Sequence, residues 1–257
     1  MKRTLLILNT VALVATIIIN YLSNTGYFNG ETMSSVSGRY ENIFTPAGYA
    51  FSIWGLIYLS LSAFLVYQFR LSARDQQNDI KTIGAWFIIS CIANSAWVVA
   101  WLYDQIGVSV LLMIILFLSL AQIVIRLNIA TKNAPLPRSL LVYLPFSIYI
   151  GWISVALIAN IAAWLTKISW NGWGISESSW AVIMIIIAGL VNLFVLWKRN
   201  MGMFVLTGGW ALVAIAVANW DNASTVATVA VATAVVLICS VLIHALAGKK
   251  KQFAAVS

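Results

Sequence analysis

Runs of about 20 apolar residues recur along the whole chain, and no other feature restricts its fold as strongly. An α-helix rises about 1.5 Å per residue, so each run matches the hydrocarbon core of a bilayer, about 30 Å thick. Eight segments qualify: Thr4 to Leu22, Tyr49 to Phe69, Ile83 to Trp101, Val108 to Ile125, Leu140 to Leu165, Trp180 to Trp197, Met203 to Trp220 and Thr225 to Ala247. Strands of a membrane barrel would be about 10 residues long with alternating polarity. Helices are the remaining way to satisfy the backbone in lipid. Apolar residues make up 62% of the chain and charged ones 9%, against roughly 45–50% and 25% in a soluble domain. The expected fold class is therefore all-α integral membrane, with eight transmembrane helices in a single membrane domain.

A net charge of +8 raises the question of nucleic acid, and the placement of the basic residues answers it. Lys2, Arg3, Arg70, Arg74, Lys81, Arg126, Lys132, Arg138, Lys198, Arg199, Lys249, Lys250 and Lys251 all fall on one side of the expected spans. Only Arg39 and Lys167 fall on the other. This asymmetry of short loops orients membrane proteins and predicts both termini in the cytoplasm, with the chain in the plasma (inner) membrane. It leaves nucleic-acid binding no place. The first apolar run follows Lys2 and Arg3 but exceeds a signal peptide's 7–15 residues, so a retained helix is expected. Cys91 and Cys239 both fall inside spans and read as packing residues.

Twelve tryptophans invite the interfacial belt as explanation, and Trp170, Trp173, Trp180, Trp220, Trp86 and Trp197 fit it at span boundaries. Trp54, Trp97, Trp152 and Trp164 lie within spans instead. Asn94, Trp97 and Trp101 share one face of the third helix, and Trp152, Ala156, Asn160 and Trp164 repeat every four residues on the fifth. Counting rise from the helix ends brings these groups, with Trp54 and Tyr58, to one level in the outer half of the bilayer. Above them runs a loop of about 25 residues, Ser23 to Ala47, where most connections have 4–6. Two readings stay open. Asn94 and Asn160 tie helices together, each bond contributing about 0.6 kcal/mol, or they line a small-molecule pocket with aromatic walls under a mobile lid.

The segment Pro46-Ala47-Gly48-Tyr49-Ala50-Phe51-Ser52-Ile53-Trp54-Gly55-Leu56-Ile57-Tyr58 resembles P-P-G-W-x-F-x-x-V-W-x-x-L-Y, with one residue fewer between Phe51 and Trp54; that motif opens the second helix of the translocator protein or tryptophan-rich sensory protein (TspO/MBR) family. Asn94-Ser95-Ala96-Trp97 is similar to that family's N-x-x-W on helix three. Trp152, Asn160 and Trp164 are similar to its W-x7-N-x3-W on helix five. Ala47 stands for the second proline, Tyr49 for a tryptophan, and Ile148 for a proline that here occurs at Pro145. The resemblance covers residues 1–166 and implies a five-helix bundle that binds tetrapyrroles or sterol-like lipids beneath its first loop, with a homodimer as a further implication. It points to Phe51, Trp54, Asn94, Trp97, Asn160 and Trp164 as pocket residues, to which the shared depth adds Tyr58 and Trp152. Residues 180–251 would add three transmembrane helices, whose Gly208, Gly209, Ala223, Ala227, Ala230 and Ala234 permit close packing. Every matching residue precedes Leu165, so a chain ending near Lys167 is expected to keep the site.

Catalytic and metal signatures are missing from the sequence: there is no HExxH, GxSxG, phosphate-binding glycine loop or His/Cys cluster. The one histidine, His244, lies near Lys249 at the end opposite the expected pocket and reads as structural. These readings make the chain a membrane receptor or carrier whose partners are lipid and a hydrophobic planar or sterol-like small molecule, tetrapyrroles first. The alternative is an uncoupled facilitator of a small solute, and a weaker third reading is degradation of a bound tetrapyrrole. Ion-coupled transport is disfavoured because no Asp or Glu falls within a span.

Overall fold

A computed structural model describes residues 2–73, 79–131 and 134–254, with side chains through residue 247. Arg74 and Lys132, and the side chains of Lys2, Lys249, Lys250 and Lys251, lie outside this range. All regular elements among the described residues are helical. The long ones are α1 (Lys2–Leu22), α2 (Ile53–Ala73), α3 (Trp86–Leu102), α4 (Ile106–Arg126), α5 (Leu144–Lys167), α6 (Glu177–Arg199), α7 (Gly202–Ala218) and α8 (Ser224–Ala254). Six of them are long and apolar enough to cross a membrane, and the chain is an integral membrane protein. The third and seventh expected spans are shorter: α3 and α7 have 17 residues each, about 26 Å of rise. Gly84, at φ 63°, breaks the third span after a short turn at Ile80–Ile83, so α3 starts later than the apolar run does.

The chain divides into two compact units, Met1–Asn42 with Phe51–Trp170, and Ile43–Ala50 with Asn171–Ser257. In the first, α1 turns a stripe of Leu6, Asn9, Leu13, Thr16, Asn20 and Ser23 inward. Their alternating steps of three and four keep one face toward its neighbours, chiefly α3. Ile7, Val11, Val14 and Ile18 form the exposed apolar face that lipid would cover. Helix α5 is the centre of this unit, with every side chain from Pro145 to Ile153 buried. A π-helical turn at Ser139–Tyr143 leads into it.

The long outer loop is itself folded. Thr32 and Ser35 form a reciprocal cap on a helix at Met33–Arg39, whose Met33 and Val36 are buried. Arg39 pairs with Glu31, and Asp104 accepts from Lys167 Nζ at 2.8 Å and from the Tyr40 hydroxyl at 2.6 Å. The two basic residues that depart from the charge pattern are thus both paired with acids of their own end. At the other end Arg138 bridges Asp79 at 2.6 Å, and the Arg126 guanidinium lies 5.7 Å from the Trp86 ring.

In the second unit α6 starts on a Ser176 cap and stops at Asn200, whose left-handed backbone turns the chain into α7. Small residues allow the close approach. A β-carbon on Gly208 would lie 2.6 Å from Asn192 Oδ1, and one on Gly189 would lie 2.7 Å from Thr233. Ala227, Ala230 and Ala234 are buried on α8. His244 places its ring edge-on to Trp197, 5.0 Å away.

Candidate ligand-binding site

Trp54 stands at the middle of an aromatic cluster built by α2, α3 and α5. Its indole stacks on Tyr58 (5.5 Å between ring centres) and on Trp97 (6.0 Å), and meets Tyr149 and Trp152 edge-to-face at 6.0 and 6.4 Å. Phe51 packs edge-on against Trp152 at 6.2 Å. The spacing of four between Trp54 and Tyr58 on α2 and of three between Tyr149 and Trp152 on α5 puts these rings on facing sides of two packed helices, which is why they meet. Offset and edge-to-face pairs of this kind contribute about 0.5–1.5 kcal/mol each beyond buried area.

The asparagines link helices. Asn160 Oδ1 accepts from Trp97 Nε1 at 2.7 Å, and its Nδ2 donates to Ser109 Oγ at 2.8 Å, joining α5 to α3 and α4. Asn94 Nδ2 donates to the Tyr149 hydroxyl at 2.9 Å, while its Oδ1 accepts from Asn20 Nδ2 at 2.8 Å. Both amides are buried and engaged at each end. Trp152 Nε1 is also buried but has no partner.

Open space lies on the α1 side of this cluster. A cavity of about 290 Å³ is bounded by Ile17, Asn20, Tyr21, Ser23 and Asn24 from α1 and the turn after it, Met33 from the outer loop, and Phe51, Ser52, Trp54, Gly55 and Tyr58 from the start of α2. Phe51, Trp54 and Tyr58 therefore share its wall. Asn94 stands one hydrogen bond behind, through Asn20 and Tyr58. Trp97, Trp152 and Asn160 form the packed support of Trp54. Trp164 belongs to neither group: it is 37% exposed and covers Gly107, whose missing β-carbon would lie 3.2 Å from its Nε1. The α1 residues of the wall were not singled out from sequence. Asn20 and Ser23 continue the Leu6, Asn9, Leu13, Thr16 stripe, a polar pattern along an otherwise apolar helix that marks them.

The electrostatics near the roof are local. Hydrogen bonding from Ser35 and pairing with Arg39 hold Glu31 below the usual carboxylate range. Partial burial opposes ionisation of Asp104, but the Lys167 and Tyr40 bonds outweigh it and lower its pKa. Burial, reinforced by the bond to Asp104, raises that of the Tyr40 phenol.

The segment from Pro46 to Tyr58 is divided between the units. Ala47 N donates to the Ala214 carbonyl at 3.0 Å, Tyr49 meets Trp210 edge-on at 5.2 Å, and Trp210 Nε1 donates to the Ala50 carbonyl at 3.4 Å. Ile43 N donates to Glu177 Oε1 at 2.9 Å, and its carbonyl accepts from Asn219 Nδ2 at 2.8 Å. Residues 43–50 are thus held by α6, α7 and the turn after α7, whereas Phe51 onward packs in the first unit.

Comparison with curated proteins and with solved structures gives no match. A family model, described as TSPO-like protein, matches residues 6–243 and so runs through the last three helices as well as the motif-bearing ones. With the second-helix, third-helix and fifth-helix residues meeting around Trp54, and the match spanning nearly the whole sequence, the chain belongs to the TSPO-like protein family.

Proposed function

We propose that this membrane protein binds a hydrophobic planar or sterol-like ligand in the cavity between α1 and α2, for sensing, sequestration or transfer. The observation that carries this reading is the position of Trp54, one face of whose surroundings is packed rings and another the cavity wall. A preformed concave site with aromatic walls and a few polar groups is the usual form of a small-molecule pocket. At about 290 Å³ it is near the lower end of the 300–1,000 Å³ such sites span, so a tetrapyrrole would have to displace Met33 or Tyr21 at the rim. The packing of Trp97, Tyr149 and Trp152 behind Trp54 favours retention over passage through the bundle. The same proposal places eight spans in the plasma membrane, α3 and α7 being short spans accommodated by local thinning, with both termini cytoplasmic and a homodimer as the assembly.

The test is a titration of purified protein with planar polycycles and tetrapyrroles, read as saturable quenching of tryptophan emission, with sterols as competitors. At least one class should bind, and Trp54→Leu should weaken it by about 0.5–1.5 kcal/mol beyond lost contact area. Binding that is indifferent to Trp54→Leu would place the ligand elsewhere.

A further inference from the structure

The walls of the cavity carry no Lys, Arg, His, Asp or Glu among the described residues. Its polar groups are neutral, and their hydrogen bonds decide what they still offer. Asn20 Nδ2 donates to the Thr16 carbonyl at 3.0 Å as well as to Asn94, and Asn24 Nδ2 donates to the Asn20 carbonyl at 2.9 Å. A carbonyl oxygen only accepts, so both amides are oriented with nitrogen inward to the backbone. Each keeps its Oδ1 as an acceptor. The Ser23 hydroxyl donates to the Asn20 carbonyl at 2.7 Å, and the Tyr58 hydroxyl points at Asn94 Oδ1 at 3.4 Å. The polar side of the wall is therefore rich in acceptors, with Ser52 and Tyr21 as its hydroxyl donors. Neither cation of that end is available: Arg39 is paired with Glu31, and Lys167 with Asp104.

Resting on the function proposed above, we infer that the site selects an uncharged hydrophobe bearing a hydrogen-bond donor, such as a hydroxyl, and discriminates against the carboxylate of the same skeleton. A hydroxyl satisfies an asparagine oxygen and needs nothing else. A carboxylate finds only the Ser52 and Tyr21 hydroxyls as donors on a wall otherwise made of acceptors, and no cation replaces the hydration it loses. Leaving a charged group incompletely paired costs more than leaving a neutral one so, and a preference of at least about tenfold is expected. Anionic tetrapyrroles would be poor ligands for the same reason.

A matched pair of probes, 1-pyrenemethanol and 1-pyrenecarboxylate, tests this on the full-length protein in a neutral detergent, read as pyrene emission sensitised by tryptophan. The alcohol should bind at least about tenfold more tightly than the carboxylate. Asn24→Arg, which puts a cation on the wall, should reduce or reverse the preference by improving the carboxylate, a change that detergent partitioning alone would not produce. Gly55→Leu should abolish binding of both, because a β-carbon there meets no heavy atom within 4 Å and the longer side chain enters the cavity. Equal affinities, or tighter binding of the carboxylate to the unmodified protein, overturn the selectivity, as does a preference unmoved by Asn24→Arg. Binding of neither probe, or binding unchanged by Gly55→Leu, overturns instead the placement of the site on which the inference rests.

Discussion

At the scale of single residues, Asn160 and Trp54 divide structure from binding. Asn160→Leu would remove a bond to Ser109 and leave the buried Trp97 N–H without an acceptor. An unpaired buried donor costs about 1–3 kcal/mol, less in a bilayer where alternative partners exist. The expected outcome is lower thermal stability in detergent with ligand affinity unchanged. Reduced affinity at unaltered stability would mean that the amide contacts ligand. Sequence spacing alone left the two readings of the asparagines open, because a helix face tells which residues can meet and not which hydrogen bonds they form. The contacts around Asn94 and Asn160 are those of helix ties. Trp164 shows the same limit: its spacing from Asn160 is the family's, yet its ring covers Gly107 and is partly exposed.

The outer loop and the glycine contacts belong to the scale of elements. Glu31 and Asp104 both have lowered pKa values in the folded protein, so their stabilisation is present above the ordinary carboxylate pKa and is lost as pH falls through the lowered one. Melting of the unmodified protein should therefore exceed that of Asp104→Asn at pH 6, and the difference should shrink progressively as pH falls below about 4. A difference that does not diminish at all on acidification would show that the charge of Asp104 is not what matters. In the second unit, Gly208→Ala would push a methyl against Asn192 and should cost about 1–3 kcal/mol. Shortening the partner by Asn192→Ala in the same chain should recover most of it, and strictly additive losses would refute the contact. The strap at residues 43–50 bears on a chain ending near Lys167. Its hydrogen-bond partners Ala214, Trp210, Asn219 and Glu177 all follow Lys167, so a chain ending there lacks them. Asn219→Ala in the full chain should raise amide exchange at Ile43 and Ala47. Exchange equal to that of the unmodified protein would mean the strap is held mainly by Ala214 and Trp210.

For the whole molecule, the charge asymmetry predicts an orientation. Lys81, Arg138 and Lys251 all belong to the basic side, so reporters fused after each should read cytoplasmic. An external signal after Lys251 alone would show that the 17-residue helix α7 does not cross, whereas failure of the equally short α3 would turn the Arg138 reporter outward as well. Sequence by itself determined the helical class, the membrane as solvent and the family, because each depends on local quantities: run length, face periodicity and motif residues. Only the tertiary structure decided where empty space is. A cavity is the volume that neighbouring side chains fail to fill, and here Trp97, Tyr149 and Trp152 fill the α5 side of Trp54 while the gap opens toward α1. The same holds for the split between Ala50 and Phe51. It depends on α7 presenting Ala214 and Trp210 to a segment more than 150 residues earlier, a pairing that no local pattern encodes.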